Sequence, residues 1–307
     1  MHLPTTEPRP SIYYTYEVHD PWLPSAHPDE QRKKVLIVGT GPAGMVTALE
    51  LARHGVPSVI VSSELQVSQG SRAIVFTRRS MEILQQVGTA DRMTENGLPW
   101  RCGNSFYSGQ LAFRMESPHD PDDRFFPMLN IQQQYMEEYL IDACNASPLI
   151  DLRWGNKVVG LEQFDDVARV EIDTPEGPYT IETEWVVAAD GGRSPIRTMM
   201  NLQMEGASYE GSFVIADIRI DLPFPTERLA YFDPEWNRGN TILMHREPFG
   251  IWRVDYQLPP GETAEQALQP ESLKKRIDAQ LAMIGHARLP WEMDWCSVYS
   301  ARTLTLP

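Results

Sequence analysis

The stretch from Val35 to Val61 constrains this chain more than any other. Val35-Leu36-Ile37-Val38 is an unbroken aliphatic run, as a strand covered on both faces requires, and it leads straight into Gly39-Thr40-Gly41-Pro42-Ala43-Gly44. A glycine triplet alone is weak, because such triplets arise by chance. Directly after a buried strand and at the opening of a helix, it has a physical purpose. Gly39 permits the tight turn, Gly41 lets backbone amides approach a pyrophosphate, and Gly44 lets the helix pack closely on the strand. The helix is expected over Pro42–His54, with apolar Ala43, Val46, Leu49 and Leu51 and a stop at Gly55. A second strand, Ser58–Val61, follows, and the right-handed crossover places both strands parallel in one sheet. The helix N-terminus then offers unpaired N–H groups and partial positive charge to phosphates.

The 307 residues suggest two domains. Residues 1–31 carry six prolines among Tyr and Trp anchors and read as an extended arm docked on a surface. Helices are expected at Arg79–Val87 and Gln132–Cys144. Strands are expected at Asp151–Phe164, Ala168–Thr174 and Tyr179–Thr183, with a strand pair in Asn104–Met115 and a buried strand at Trp185–Ala189. Beyond Asn201 the pattern turns to strands with few helices: Ser212–Ile220, Arg228–Phe232, Thr241–His245 and Gly250–Leu258, with one helix over Pro270–Ile284. The chain therefore divides into the arm (1–31), an α/β nucleotide-binding part (32–201) and an antiparallel-sheet part (202–307). Residues 103–127 are expected to cross between the last two.

Composition narrows the partners. A net charge of −15 opposes nonspecific attraction to nucleic acid or anionic lipid. No apolar run approaches membrane-spanning length, and the N-terminus lacks the pattern of a secretory signal. Cys102, Cys144 and Cys296 are too far apart for a CxxC metal site and odd in number, which points to a reducing, cytoplasmic compartment. No metal site, serine triad or paired-carboxylate signature is present.

A ribose-binding acid is expected at the end of the second strand, but Ser62-Ser63-Glu64 stands there. Ser62 occupies the expected place; a serine can hydrogen-bond a hydroxyl but supplies no charged acceptor. Glu64 is either a displaced acceptor or a solvated loop charge. With one glycine triplet, FAD and NAD(P) compete for a single site. Two further segments exceed what a nicotinamide dehydrogenase needs: Gly70-Ser71-Arg72-Ala73-Ile74, and the Trp185–Ala189 strand running into Asp190-Gly191-Gly192-Arg193.

In these segments the chain resembles the single-component FAD-dependent aromatic hydroxylases that include para-hydroxybenzoate hydroxylase, most closely the 3-(3-hydroxyphenyl)propionate hydroxylase-like branch. Supporting stretches are GSRAIVFTRRSMEIL, LNIQQQYMEEYL, DLRWGNKVVGLE, DTPEGPY, ADGGRSPIR, FVIADI and WRVDYQL, in order over about Ile12–Val298. The resemblance implies a Rossmann-like FAD-binding domain of α/β class with a mixed or antiparallel substrate sheet. It implies that Gly39, Gly41, Pro42, Ala43 and Gly44 hold the FAD diphosphate, with Ser62 and Ser63 at the ribose. Arg72 would contact the cofactor across the seam, and Gln133 would lie near the phosphate and ribityl chain. Asp190 and Gly191 would support FAD near the place a nicotinamide visits. The implied reaction uses NADH or NADPH as a transient donor and O2, through a flavin C4a-hydroperoxide, to hydroxylate a small phenolic substrate. His245, Arg253 and Tyr256 lie on predicted strands of the substrate sheet, where a solvated or satisfied structural role is the better reading.

Relatives of this kind continue with a strand, a Gly-Asp motif and a helix aimed at the flavin pyrimidine. The resemblance therefore predicts a C-terminally truncated domain with impaired turnover. Its alternatives are a non-catalytic FAD-binding remnant and one chain of a split enzyme completed by a C-terminal partner; a homo-oligomer is also open.

Overall fold

The computed structural model describes residues 1–26, 32–70 and 73–306. Lys33–Val38 is buried from Val35 onward and lies at the centre of a six-stranded sheet. Its neighbours are Ser58–Val61 on one side and Gly177–Ala188 on the other, both parallel to it. Ile150–Arg153 extends the parallel part, and Ala168–Thr174 and Lys157–Gln163 continue it antiparallel. The helix Pro42–Arg53 packs on this sheet through Met45, Ala48 and Leu49, alongside the helix Gln133–Asn145.

The seven-stranded sheet runs in the order Glu292–Thr305, Glu205–Arg219, Ile251–Gln257, Thr241–Arg246, Arg228–Phe232, Cys102–Tyr107, Gln110–Glu116. All its pairs are antiparallel except Arg228–Phe232 with Cys102–Tyr107. Strand side chains alternate between faces, so one face collects Val214, Ala216, Ile218, Met244, Trp252 and Val254 under the helix Pro270–Met283. The other face is left to residues of opposite parity, among them Ile215, Asp217, His245, Arg253 and Asp255. A small third sheet joins Val75–Thr77, Met128–Asn130 and Leu98–Trp100.

Several expectations change on folding. Asp151–Phe164 is two strands on opposite edges of the sheet, separated at Trp154–Asn156, where Gly155 takes a φ of +71°. Tyr179–Thr183 and Trp185–Ala189 fuse into the single strand Gly177–Ala188. Trp185 is 67% exposed, although its apolar run reads as buried. Such a run implies cover on both faces, and the described residues leave Trp185 without it. Glu292–Thr305, the longest edge strand, carries only weak alternation and was not expected as a strand. The three strands of the small sheet, three residues each, are too short to register as periodicity.

The N-terminal segment is a docked arm, and among its described residues the only regular element is the 3-10 turn Pro24–Ala26. Asp294 on the seven-stranded sheet, its side chain fully buried, accepts hydrogen bonds from Arg9 Nη2, Ser11 Oγ and the Ile12 amide, each at 2.7 Å. The Tyr16 hydroxyl accepts from the Gly70 amide at 3.1 Å, and Tyr14 donates to Glu138 on the Gln133–Asn145 helix. Farther on, His19 stacks on Trp154 at 4.4 Å and Trp22 lies under the Arg153 guanidinium. The arm thus bridges elements of both large sheets. Asp294→Leu is expected to cost about 3 kcal/mol, because it removes the carboxylate that neutralises the Arg9 guanidinium and leaves the Ser11 hydroxyl and Ile12 amide without their acceptor. Urea denaturation checks the loss, and limited proteolysis should then cut within residues 1–26 while the wild-type arm resists.

Candidate functional site

The two parallel strands flanking Lys33–Val38 end at the same edge of the sheet as it does, which gathers three loops. The Gly39 amide donates to the Val61 carbonyl and the Ala189 amide to the Val38 carbonyl, both at 2.9 Å. The glycine turn, Ser62-Ser63 and Asp190-Gly191 therefore meet beyond the carboxyl ends of the strands, where open α/β sheets bind their ligands.

The three glycines of the turn have different reasons to be glycine. Gly39 has a φ of +110°, and a Cβ there would lie 2.3 Å from the Ala189 carbonyl oxygen. At Gly44 a Cβ would lie 2.1 Å from the Gly39 carbonyl oxygen. Both positions are fixed by packing within the protein. Gly41 differs: its φ is an ordinary −74° and no atom lies within 4 Å of where a Cβ would sit. Among the described residues nothing occupies the space in front of Gly41, which is what a cradle for an approaching diphosphate requires. Pro42 at the first helical position has no N–H to leave unpaired, and the next amides of the turn form the helix's positive end.

At the end of the second strand, Ser62 is 3% exposed, and its Oγ accepts from Thr40 Oγ1 at 2.8 Å and from the Glu64 amide at 3.2 Å. Its oxygen thus braces the turn. Ser63 is half-buried and Glu64 exposed, and the Ser63 carbonyl meets His2 Nε2 of the arm at 2.7 Å.

Among the three consecutive glutamines, Gln132 and Gln134 are fully buried and bond to the Pro248 carbonyl and the Tyr13 hydroxyl. Gln133 is the one turned toward the loop preceding the small sheet. Its Oε1 accepts from the Ala73 amide at 3.3 Å and its Nε2 donates to Glu137 at 2.6 Å. Buried Glu137 also accepts from the amide and hydroxyl of Ser68. Arg72 lies outside the described residues. The preceding Gly70, with a φ of +79°, packs so closely on Trp295 that a Cβ would lie 2.3 Å from the indole. Asp190 caps the following turn, its Oδ2 accepting from the Ile196 amide at 3.0 Å, while Gly191 takes a φ of +82° with open space beside it.

Between this edge and the seven-stranded sheet lies a cleft of about 1010 Å³. Asp190, Gly191 and Arg193 line one wall, and Ile215, His245, Arg253, Asp255, Ser297 and Tyr299 belong to the other. The sheet wall is built on a buried ion cluster. Arg253 binds Asp217 in a bidentate pair at 2.8 and 2.9 Å, and its Nε lies 3.4 Å from Glu247. Burial by itself lowers the Arg253 pKa, but Asp217 and Glu247 outweigh it and keep the guanidinium charged. Burial and then Asp217 push the Glu247 carboxyl well above the usual range, since one arginine cannot neutralise two acids. Asp255 is raised to about 7, chiefly by burial, with Arg253 opposing. Burial, with Arg228 and Arg253, pushes His245 down to about 3, so the ring is neutral.

Arg253 is therefore committed to its own carboxylates, and Tyr256 points to the opposite face, where its ring meets Trp236 edge-on. Asp217, Glu247 and Asp255 were not expected from the sequence. The available signal was parity: on strands with period 2, Arg253 and Asp255 must face the same way.

Residues 32–306 match the FAD binding domain family, and the chain belongs to it. Its relatives include the 3-(3-hydroxy-phenyl)propionate/3-hydroxycinnamic acid hydroxylase of Burkholderia cenocepacia (strain HI2424), 30% identical over 81% of this chain and 45% of that protein. The para-nitrophenol 4-monooxygenase of Pseudomonas sp. (strain WBC-3) is 26% identical over 79% of this chain and 59% of its own length. The chain thus spans about half the length of these relatives. Among solved structures, p-nitrophenol 4-monooxygenase from Pseudomonas putida DLL-E4 superposes with a TM-score of 0.78 at 22% identity, covering 91% of this chain and 70% of that one. The flavin-dependent monooxygenase PieE, solved with FAD and substrate, gives 0.79 at 23% identity, covering 90% and 51%. The fold is that of the FAD-dependent monooxygenases, FAD is the cofactor of the family, and the open cradle at Gly41 fits its diphosphate. Among the described residues, no helix is long and apolar enough to cross a membrane.

Proposed function

We propose that this chain is the FAD-binding and substrate-binding core of an aromatic hydroxylase that uses NADH or NADPH and O2 to hydroxylate a phenolic ring. One observation carries the reading: the Asp190–Arg193 loop, which follows the strand end bonded to Val38 beside the glycine turn, lines one wall of a cleft whose other wall is a polar sheet face. In this reading residues 32–201 bind FAD, residues 202–307 with 103–127 form the substrate sheet, and the arm ties them together. Gly39, Gly41, Pro42, Ala43 and Gly44 hold the diphosphate, with Ser62 and Ser63 at the ribose. Arg72, Gln133, Asp190 and Gly191 lie along the rest of the cofactor. Bound FAD supplies the redox chemistry and oxygen activation. The protein binds and orients both partners and keeps water from the reacting ring. Its three described cysteines are free thiols, as suits a cytoplasmic enzyme.

Titration with FAD should quench flavin fluorescence to saturation, and adding a phenol should then accelerate NAD(P)H oxidation and O2 uptake. Absence of flavin binding overturns the reading. The relatives' greater length favours a second one, in which turnover needs further chain. Binding without phenol-stimulated oxidation, restored by adding the C-terminal portion of a relative, would establish it; binding with no restoration would mark a non-catalytic FAD carrier.

A further inference from the structure

The sheet wall of the cleft carries one acid that the buried ion cluster does not use. Asp255 lies on the central strand Ile251–Gln257, opposite Ile215 on one neighbour and Leu243 on the other. Its Oδ1 is buried and has no hydrogen-bond partner. Close by, His245 is 6% exposed, belongs to the same wall, and leaves Nδ1 without a partner. An unpaired buried polar atom is costly, so two on one wall of a large cleft point to a ligand that pairs with them.

The surrounding charges define that ligand. Arg253, two residues before Asp255 on the same face, is bound to Asp217 and Glu247 and offers no net positive charge to the cleft. Among the described residues, the other charged or titratable groups acting on Asp255 or facing it are His245 on the neighbouring strand, Arg228 and Tyr299 one strand farther out on either side, and Asp190 and Arg193 across the cleft. His245 is neutral, and Arg193 stands on the other, solvent-exposed wall. Arg228 stands two strands away from Asp255, beyond Thr241–Arg246, so a carboxylate brought against Asp255 itself would meet like charge first, whereas a hydroxyl would give Asp255 the hydrogen bond it lacks.

We propose that Asp255 is a specificity-determining residue that accepts the hydroxyl hydrogen of a neutral phenol, so that this cleft takes uncharged phenols in preference to aromatic carboxylates. The inference rests on the reading of the cleft as the substrate site of a flavin hydroxylase, and it is tested by equilibrium binding, apart from turnover.

Calorimetric titration of the full chain with 3-methylphenol, 3-methylanisole and 3-hydroxybenzoate, in saturating FAD, separates the outcomes. At about pH 8, 3-methylphenol should bind about tenfold more tightly than 3-methylanisole, which lacks the hydroxyl hydrogen. It should also bind about tenfold more tightly than 3-hydroxybenzoate. Because the Asp255 carboxyl titrates near 7, both preferences should shrink several-fold at about pH 5.5, where the group is neutral. Asp255→Asn should remove the pH dependence and narrow the gap to 3-hydroxybenzoate, with Asp255→Ser as the second variant should the first fail to fold. A wild type that binds FAD but prefers 3-hydroxybenzoate, binds none of the three, or keeps its preferences in either folded variant overturns the assignment. A chain that fails to take up FAD yet keeps the phenol preference refutes the cofactor reading and leaves the role of Asp255 standing.

Discussion

Gly41→Val should weaken FAD binding by about 100-fold or more while changing stability by about 1 kcal/mol or less. A valine can adopt the φ of −74° at this position, and its Cβ would enter space that no atom of the described residues occupies. The fold has no reason to notice the change, whereas a diphosphate lying against the amides would meet two methyl groups. Gly44→Val is the contrasting variant. Its Cβ would lie 2.1 Å from the Gly39 carbonyl oxygen, a backbone atom that cannot step aside without breaking the strand-to-helix turn. A loss of about 4 kcal/mol or outright failure to fold is expected there. Thermal melts alongside fluorescence titration with FAD distinguish the two. Equal damage to stability from both variants would mean that the open space at Gly41 is not a ligand cradle.

Arg253→Met should destabilise the protein by about 3–5 kcal/mol, since it leaves Asp217 and Glu247 facing one another in the core of the cleft wall. The side chains of these two acids are fully buried, and that of Arg253 is 3% exposed, so water cannot take over the lost pairing. The double variant Asp217→Leu/Arg253→Met should recover part of that loss, because an apolar pair removes the Asp217 charge and its desolvation cost while buried Glu247 stays without its cation. Urea denaturation of the wild type, the two single variants and the double variant closes a cycle, and a coupling energy near zero would show the bidentate pair to be energetically idle.

The glycine turn and its βαβ setting were legible in the chain because most of what shapes them is local, although the Ala189 carbonyl that keeps Gly39 a glycine comes from a distant strand. A strand that ends, a turn that needs a positive φ and a helix that begins occupy consecutive residues, and their spacing states the geometry. Three glutamines in a row carry no phase of their own, and it is the helix turn that points Gln133 toward the Ala73 loop. The arm's aromatics announced that it docks but not where, since Asp294 lies 285 residues beyond Arg9.

The sequence by itself determined the strand, glycine turn and helix of the first βαβ unit, through short-range sterics and the amides of one helix end. The tertiary structure alone decided the character of the opposite wall. Asp217 and Arg253 stand 36 residues apart and become partners only through the register of two antiparallel strands. Whether a strand residue faces a helix or a cleft depends on which element covers each face of the sheet. That cover is a property of long-range packing, and no local pattern of residues carries it.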